Sequence, residues 1–179
     1  MKLLIYMLPL LMIGACKTTQ TDSVITNTNT MEETIDKNSG CPDDGTCGIE
    51  VYKNKKLTIL DDGTGSLYPE MIEGDAMVVE YTYFREGPEG TVDGNYSETI
   101  HFEIPQAATN LKKENAALAD VNLYYGKHCF CKGEAGYYPV TDGKLLVDVS
   151  EEGLVFDLIF NVNKTSQVVR HISEMIKFD

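Results

Sequence analysis

The chain lacks the short motifs around which many catalytic sites are built. It has no G-x-S-x-G nucleophile turn, no H-E-x-x-H zinc helix and no Gly-rich phosphate loop. Histidine is scarce, at His101, His128 and His171 only. Together these absences remove the familiar serine-hydrolase, zinc-protease and nucleotide-binding signatures. Nothing in the pattern calls for a cofactor or a resident metal. Positive charge is also short: 15 Lys and Arg stand against 28 Asp and Glu, for a formal charge of −13. Such a chain is repelled by nucleic acid and by anionic headgroups, so no nucleic-acid partner is expected. No apolar run reaches the roughly 18–20 residues that a membrane-spanning helix needs.

What is present begins with Lys2 and the uncharged run Leu3–Ile13. That run suits the core of a secretory signal, and Pro9 would weaken it as a permanent helix. Ile13-Gly14-Ala15-Cys16 follows: an aliphatic residue, two small residues and a cysteine. This stretch resembles the lipobox of bacterial lipoprotein precursors. The resemblance implies a diacylglyceryl thioether on Cys16, cleavage before it, and an acyl chain such as palmitate on the new N-terminus. One chain binds a membrane marginally, whereas two or more anchor it stably. It further implies a place in the cell envelope, with the membrane as a partner through the lipid anchor. Lys17 is not the Asp associated with inner-membrane retention, so the outer membrane is expected over the inner.

Residues 1–15 are therefore expected to be a signal peptide, and 16–40 the lipid-bearing N-terminus and a tether. Thr, Asn, Ser, Asp and Glu dominate residues 17–40, without periodicity. Such a segment buries too little surface to offset its ordering entropy. As a flexible coil its reach is roughly 25–30 Å.

Residues 41–179 read as one β-rich domain. Alternating apolar residues predict a short hairpin over Gly48–Ile59, broken at Lys53-Asn54-Lys55. Ala76–Arg85 and Tyr96–Ile104 predict two long strands pairing antiparallel, with Ile100, Phe102 and Ile104 inward and Thr99, His101 and Glu103 outward. Residues 106–120 suit a short helix near 106–119. Val121–Lys132, Tyr137–Val140 and Lys144–Val149 predict further strands, with Asp142-Gly143 as a hairpin turn. Leu154–Val162 is nearly all apolar and predicts a central strand buried on both faces. The Val and Ile density of Gln167–Phe178 favours a last strand. The expected class is all-β: a single antiparallel sandwich or open barrel of about seven to nine strands.

DDGT occurs twice, at 43–46 and 61–64. A calcium loop of the EF-hand kind needs Glu at its twelfth position, and counting from Asp61 that position is Ile72. Turn chemistry explains both copies.

If Cys16 carries lipid, Cys41, Cys47, Cys129 and Cys131 remain. An even set outside the cytoplasm favours disulfides over thiolate ligands. CxC is also not the knuckle that structural zinc uses. On a strand, Cys129 and Cys131 would sit near or beyond the usual reach of one bond. They are therefore expected to pair with Cys41 and Cys47, the competing arrangement being a local Cys41–Cys47 bond. Neither pair offers the CxxC at a helix start that low-pKa redox cysteines use.

For ligands, Tyr81, Tyr83, Tyr124 and Tyr125 are the candidates, since tyrosine rows can stack on sugars, although strand aromatics mostly pack. No two carboxylates stand out for hydrolysis. The chain is thus expected to be a membrane-anchored envelope protein with a binding or structural role. Its partner would be another envelope protein or a glycan. A sugar-binding module and a carboxylate hydrolase are the alternatives.

Overall fold

A computed structural model describes residues 40–178. The stretch expected to be a signal peptide, Cys16 and the expected tether through residue 39 lie outside the described residues. Nine strands and one 3-10 helix occur among them. In chain order they are β1 (Thr46–Asp61), β2 (Leu67–Arg85), β3 (Tyr96–Pro105), β4 (Asn110–Glu114), the 3-10 helix Asn115–Val121, β5 (Tyr124–His128), β6 (Gly136–Pro139), β7 (Gly143–Val149), β8 (Gly153–Phe160) and β9 (His171–Lys177). They form two antiparallel sheets, ordered β1-β2-β3-β5-β6 and β4-β7-β8-β9. The fold is an all-β sandwich whose sheets do not close into a barrel. No helix of the described residues is long and apolar enough to cross a membrane.

Period-two patterning builds the core. Val79 and Tyr81 of β2, with Ile100, Phe102 and Ile104 of β3, meet Leu145 and Val147 of β7 and Leu154, Phe156 and Leu158 of β8. Phe102 and Phe156 join the sheets edge to face, with centroids 5.1 Å apart. Complete burial of such a side chain contributes roughly 2–3 kcal/mol.

Several expectations are met. β2 and β3 pair antiparallel as predicted, with Tyr81 opposite Ile100. The last stretch contains a strand, β9. The Asp61–Ser66 loop is turn chemistry: Asp61 Oδ1 accepts from Gly63 N at 2.7 Å, and Asp62 Oδ1 from Thr64 N at 2.8 Å.

Others are corrected. The predicted hairpin over Gly48–Ile59 is one strand with a bulge, where register shifts between Lys53, Lys55 and Lys56. Asn54 takes φ 58°, so the polar triplet absorbs an irregularity without reversing the chain. The helix expected near 106–119 is confined to Asn115–Val121, because Asn110–Glu114 pairs with β7. The strand expected over Val121–Lys132 is confined to Tyr124–His128. Asp142-Gly143 is not a hairpin turn: β6 pairs with β5 and β7 with β8, so the chain changes sheets there. Finally, β8 is interior to its sheet, but its second face is only partly covered: Asp157 is buried while Ile159 is 51% exposed.

The cysteines pair locally, Cys41 with Cys47 and Cys129 with Cys131. The predicted cross-pairing rested on Cys129–Cys131 being extended. Instead β5 ends at His128 and the chain bends, bringing the two Cα atoms to 5.2 Å, inside the usual range.

Candidate functional site

Alternation on β3 sends Ser97, Thr99, His101 and Glu103 to the outer face of the five-stranded sheet. That face was expected to be open to water, yet His101 is 3% exposed. Two features cover it. Beyond the bulge, β1 reaches β3 although β2 lies between them, and Leu57 N–H donates to Glu103 Oε1 at 2.5 Å. The sheet also curls until β2 approaches β6, which brings the Tyr137 ring beside His101 and His128.

The cover encloses two polar pairs. Glu80 and His101 are register partners, with Nε2 3.0 Å from Oε2. Hydrogen bonding and charge from His101 hold Glu80 below the ordinary carboxylate range, against the opposing effect of burial. An ionised Glu80 only accepts, so Nε2 of His101 is the donor. The other ring nitrogen, Nδ1, is buried without a partner among the described residues.

In the second pair, His128 Nε2 lies 3.2 Å from Thr99 Oγ1. Burial pushes His128 below the usual histidine value, and the nearby His101 adds to this. Gly126 makes the arrangement possible, since a Cβ there would collide with Thr99 Oγ1 and the Tyr137 ring.

A carboxylate-oriented histidine beside a hydroxyl is the arrangement of a nucleophilic triad. Here the parts are divided. The carboxylate serves His101, and the hydroxyl serves His128. Neither pair sets carboxylate, histidine and hydroxyl in series, and each joins neighbouring strands. A similar pair lies on the other sheet, where Asp157 Oδ2 meets His171 Nε2 at 2.8 Å.

A second polar cluster faces the core. Glu98, fully buried, accepts from Val168 N at 2.6 Å, Val169 N at 2.8 Å and Tyr96 Oη at 2.5 Å. Lys127, 2% exposed, donates to Ser166 Oγ at 2.7 Å and Glu134 Oε2 at 2.5 Å. Its ammonium and Ser166 lower Glu134 to about 2. These contacts clamp the β8–β9 connection onto the other sheet. Burial and Glu98 push Tyr125 and Tyr96 well above the usual tyrosine value.

Two of the shallow surface clefts gather several polar side chains. One, of about 560 Å³, is lined by Asp75, Glu103 and Asp120 with Lys56 and Gln106. Glu103 is occupied by Leu57 N and, at 3.0 Å, by Asn122 Nδ2; Asp120 pairs with Lys113 at 2.7 Å. Two of its three carboxylates are thus engaged structurally. The other, of about 400 Å³, is lined by Val92, Asp93, Asn95, Ser97, His128, Cys129 and Phe130.

Among the sequence-named candidates, Tyr81, Tyr83 and Tyr125 are buried in the core and Tyr124 is half-buried. They form no exposed aromatic platform, because the odd-numbered positions of β2 and β5 face the other sheet. The charged residues that do cluster, Glu80, Glu98, Lys127 and Glu134, were not singled out by the sequence. Only strand register could have found them: Glu80 opposes His101, and Glu98 opposes Lys127.

No protein-family model, no curated protein and no solved structure matches this chain.

Proposed function

We propose that the chain is a lipid-anchored protein of the bacterial cell envelope, held at the outer membrane through Cys16, whose β domain is a non-catalytic binding or structural module. The address comes from Lys2, the apolar run to Ile13 and Gly14-Ala15-Cys16. The polar stretch over 17–40 gives the domain reach from the bilayer, and the acidic domain is suited to standing off an anionic surface.

The observation that carries the non-catalytic part is the mutual engagement of the buried polar groups. Glu80 holds His101, Glu98 holds the Val168 and Val169 amides, and Lys127 holds Glu134 and Ser166. Groups so engaged stabilise the fold and present no unpaired acid and base to a cleft.

The test is metabolic labelling with an alkyne palmitate in a bacterial host. The chain should incorporate label, fractionate with outer membranes and resist carbonate extraction. Cys16→Ser should lose both label and membrane association. A chain released as a soluble, unlabelled species would refute the anchoring.

A further inference from the structure

We propose that the Cys129-Phe130-Cys131 turn is a thiol–disulfide exchange site that passes its disulfide to a dithiol on another protein. The bond between Cys129 and Cys131 has a sequence separation of 2 and joins no two elements, whereas Cys41–Cys47 pins the segment ahead of β1 to the strand. Loop-closure stabilisation rises with the length enclosed, so the shorter bond contributes least to holding the fold.

The turn does not depend on that bond for its shape. The Cys131 carbonyl accepts from Glu134 N at 3.2 Å and Ala135 N at 3.4 Å, and Gly133 takes the left-handed φ of 77° that the reversal requires. The backbone scaffold therefore persists when the sulfurs separate. Access is open as well. Phe130 is 89% exposed between the cysteines, and Cys129 lines the same cleft as His128, between the exposed apolar lips Val92 and Phe130. An extended peptide bearing an apolar residue beside its cysteine fits that approach.

In the reaction, a partner thiolate attacks one sulfur of the turn. The Cys129–Cys131 bond breaks, a mixed disulfide forms, and the displaced thiolate takes a proton. The partner's second thiolate then attacks the mixed disulfide. Two electrons and two protons have moved from the partner dithiol to the turn, and the partner holds the new disulfide. The turn is left as a dithiol and the proposal includes no oxidant that restores it, so each chain delivers one disulfide. It stands apart from the lipid anchor and survives if that is refuted.

The test uses the full chain carrying Cys16→Ser, equilibrated in glutathione buffers of increasing reducing strength. Acid quench, alkylation and peptide mass mapping follow. Cys129–Cys131 should be half-reduced in a buffer at least tenfold less reducing than Cys41–Cys47 requires, with the circular dichroism unchanged. A reduced dithiol peptide should be oxidised one for one. The Cys129→Ser/Cys131→Ser chain should oxidise none, and Cys41→Ser/Cys47→Ser should oxidise as much as the parent. Reduction of both bonds together on unfolding, or undiminished peptide oxidation by the Cys129→Ser/Cys131→Ser chain, would overturn the proposal.

Discussion

Glu98 and Lys127 stand directly opposite each other on β3 and β5, both buried, and each directs its hydrogen bonds elsewhere. Glu98 takes the amides of Val168 and Val169, and Lys127 takes Ser166 and Glu134. Opposite charges at one register position of adjacent strands thus grip the β8–β9 connection. Removing one charge leaves the other buried with reduced compensation, beside amides that have lost their acceptor.

Glu98→Ala is therefore expected to destabilise the domain by about 3 kcal/mol, a large share of a typical domain's total. Glu98→Gln keeps one acceptor oxygen and should cost roughly half as much. Urea denaturation midpoints check both; a loss for Glu98→Ala below about 0.5 kcal/mol would show that the clamp is incidental.

Stability should fall in two steps as pH is lowered. The folded value of His128 lies below its unfolded value, so the unfolded chain takes the proton first. Stability is full above the unfolded value of about 6.5 and declines as pH falls below it. Glu80 has the opposite arrangement of charge but the same direction of loss. Its folded value is lowered from 4.5, so its contribution is present above that pH and lost as pH falls through the folded value. Thermal midpoints from pH 8 to pH 3 should show both limbs. His128→Gln should remove the upper limb and leave the lower one.

Gly126→Ala places a methyl group against Thr99 and the Tyr137 ring. Overpacking of this kind costs about 1–3 kcal/mol. Because the ring is one of the two obstacles, Tyr137→Ala in the same chain should recover part of that loss. A double-mutant cycle measures this recovery, and strict additivity of the two substitutions would contradict the contact.

At the β1 bulge, Asn54 occupies the left-handed region. Asn54→Gly should be nearly neutral, whereas the β-branched Asn54→Val should lower stability by about 1–2 kcal/mol. Thermal melts of the two variants separate a conformational requirement from a general sensitivity of the strand.

The strands were legible wherever one face was apolar and the other polar. Val79, Tyr81 and Ile100, Phe102 alternate cleanly, and β2 and β3 pair as that pattern implies. What lies over a polar face is a tertiary matter, invisible to alternation. His101 was assigned its correct side of β3, but what covers that side is the curl of the sheet and the run of β1 beyond a bulge some 50 residues earlier. The same limit hid Glu98, a charged residue at a core position of β3, whose oxygens are satisfied by amides of the β8–β9 connection and by the Tyr96 hydroxyl. The cysteines were legible as a set but not as pairs. Their pairing turned on whether the chain is extended or bent after His128, where the strand ends four residues before the expected Lys132. Lys53-Asn54-Lys55 and Asp142-Gly143 carry genuine turn chemistry that the fold uses for a bulge and a change of sheet.

The order in which the chain visits the two sheets also governs how the domain must fold. Strands β1 to β3 enter one sheet, β4 the other, β5 and β6 return, and β7 to β9 complete the second. Neither layer is encoded by a continuous stretch: the five-stranded sheet is finished only after two crossings and the four-stranded sheet only after three. Pairings so distant along the chain require large loops to close before they are rewarded, which places such folds among the slow, millisecond-to-second class. It also means that no single cut divides the domain into two self-sufficient halves. A protease acting within the domain, or a ribosome stalled before β7, would leave an apolar sheet face without its cover.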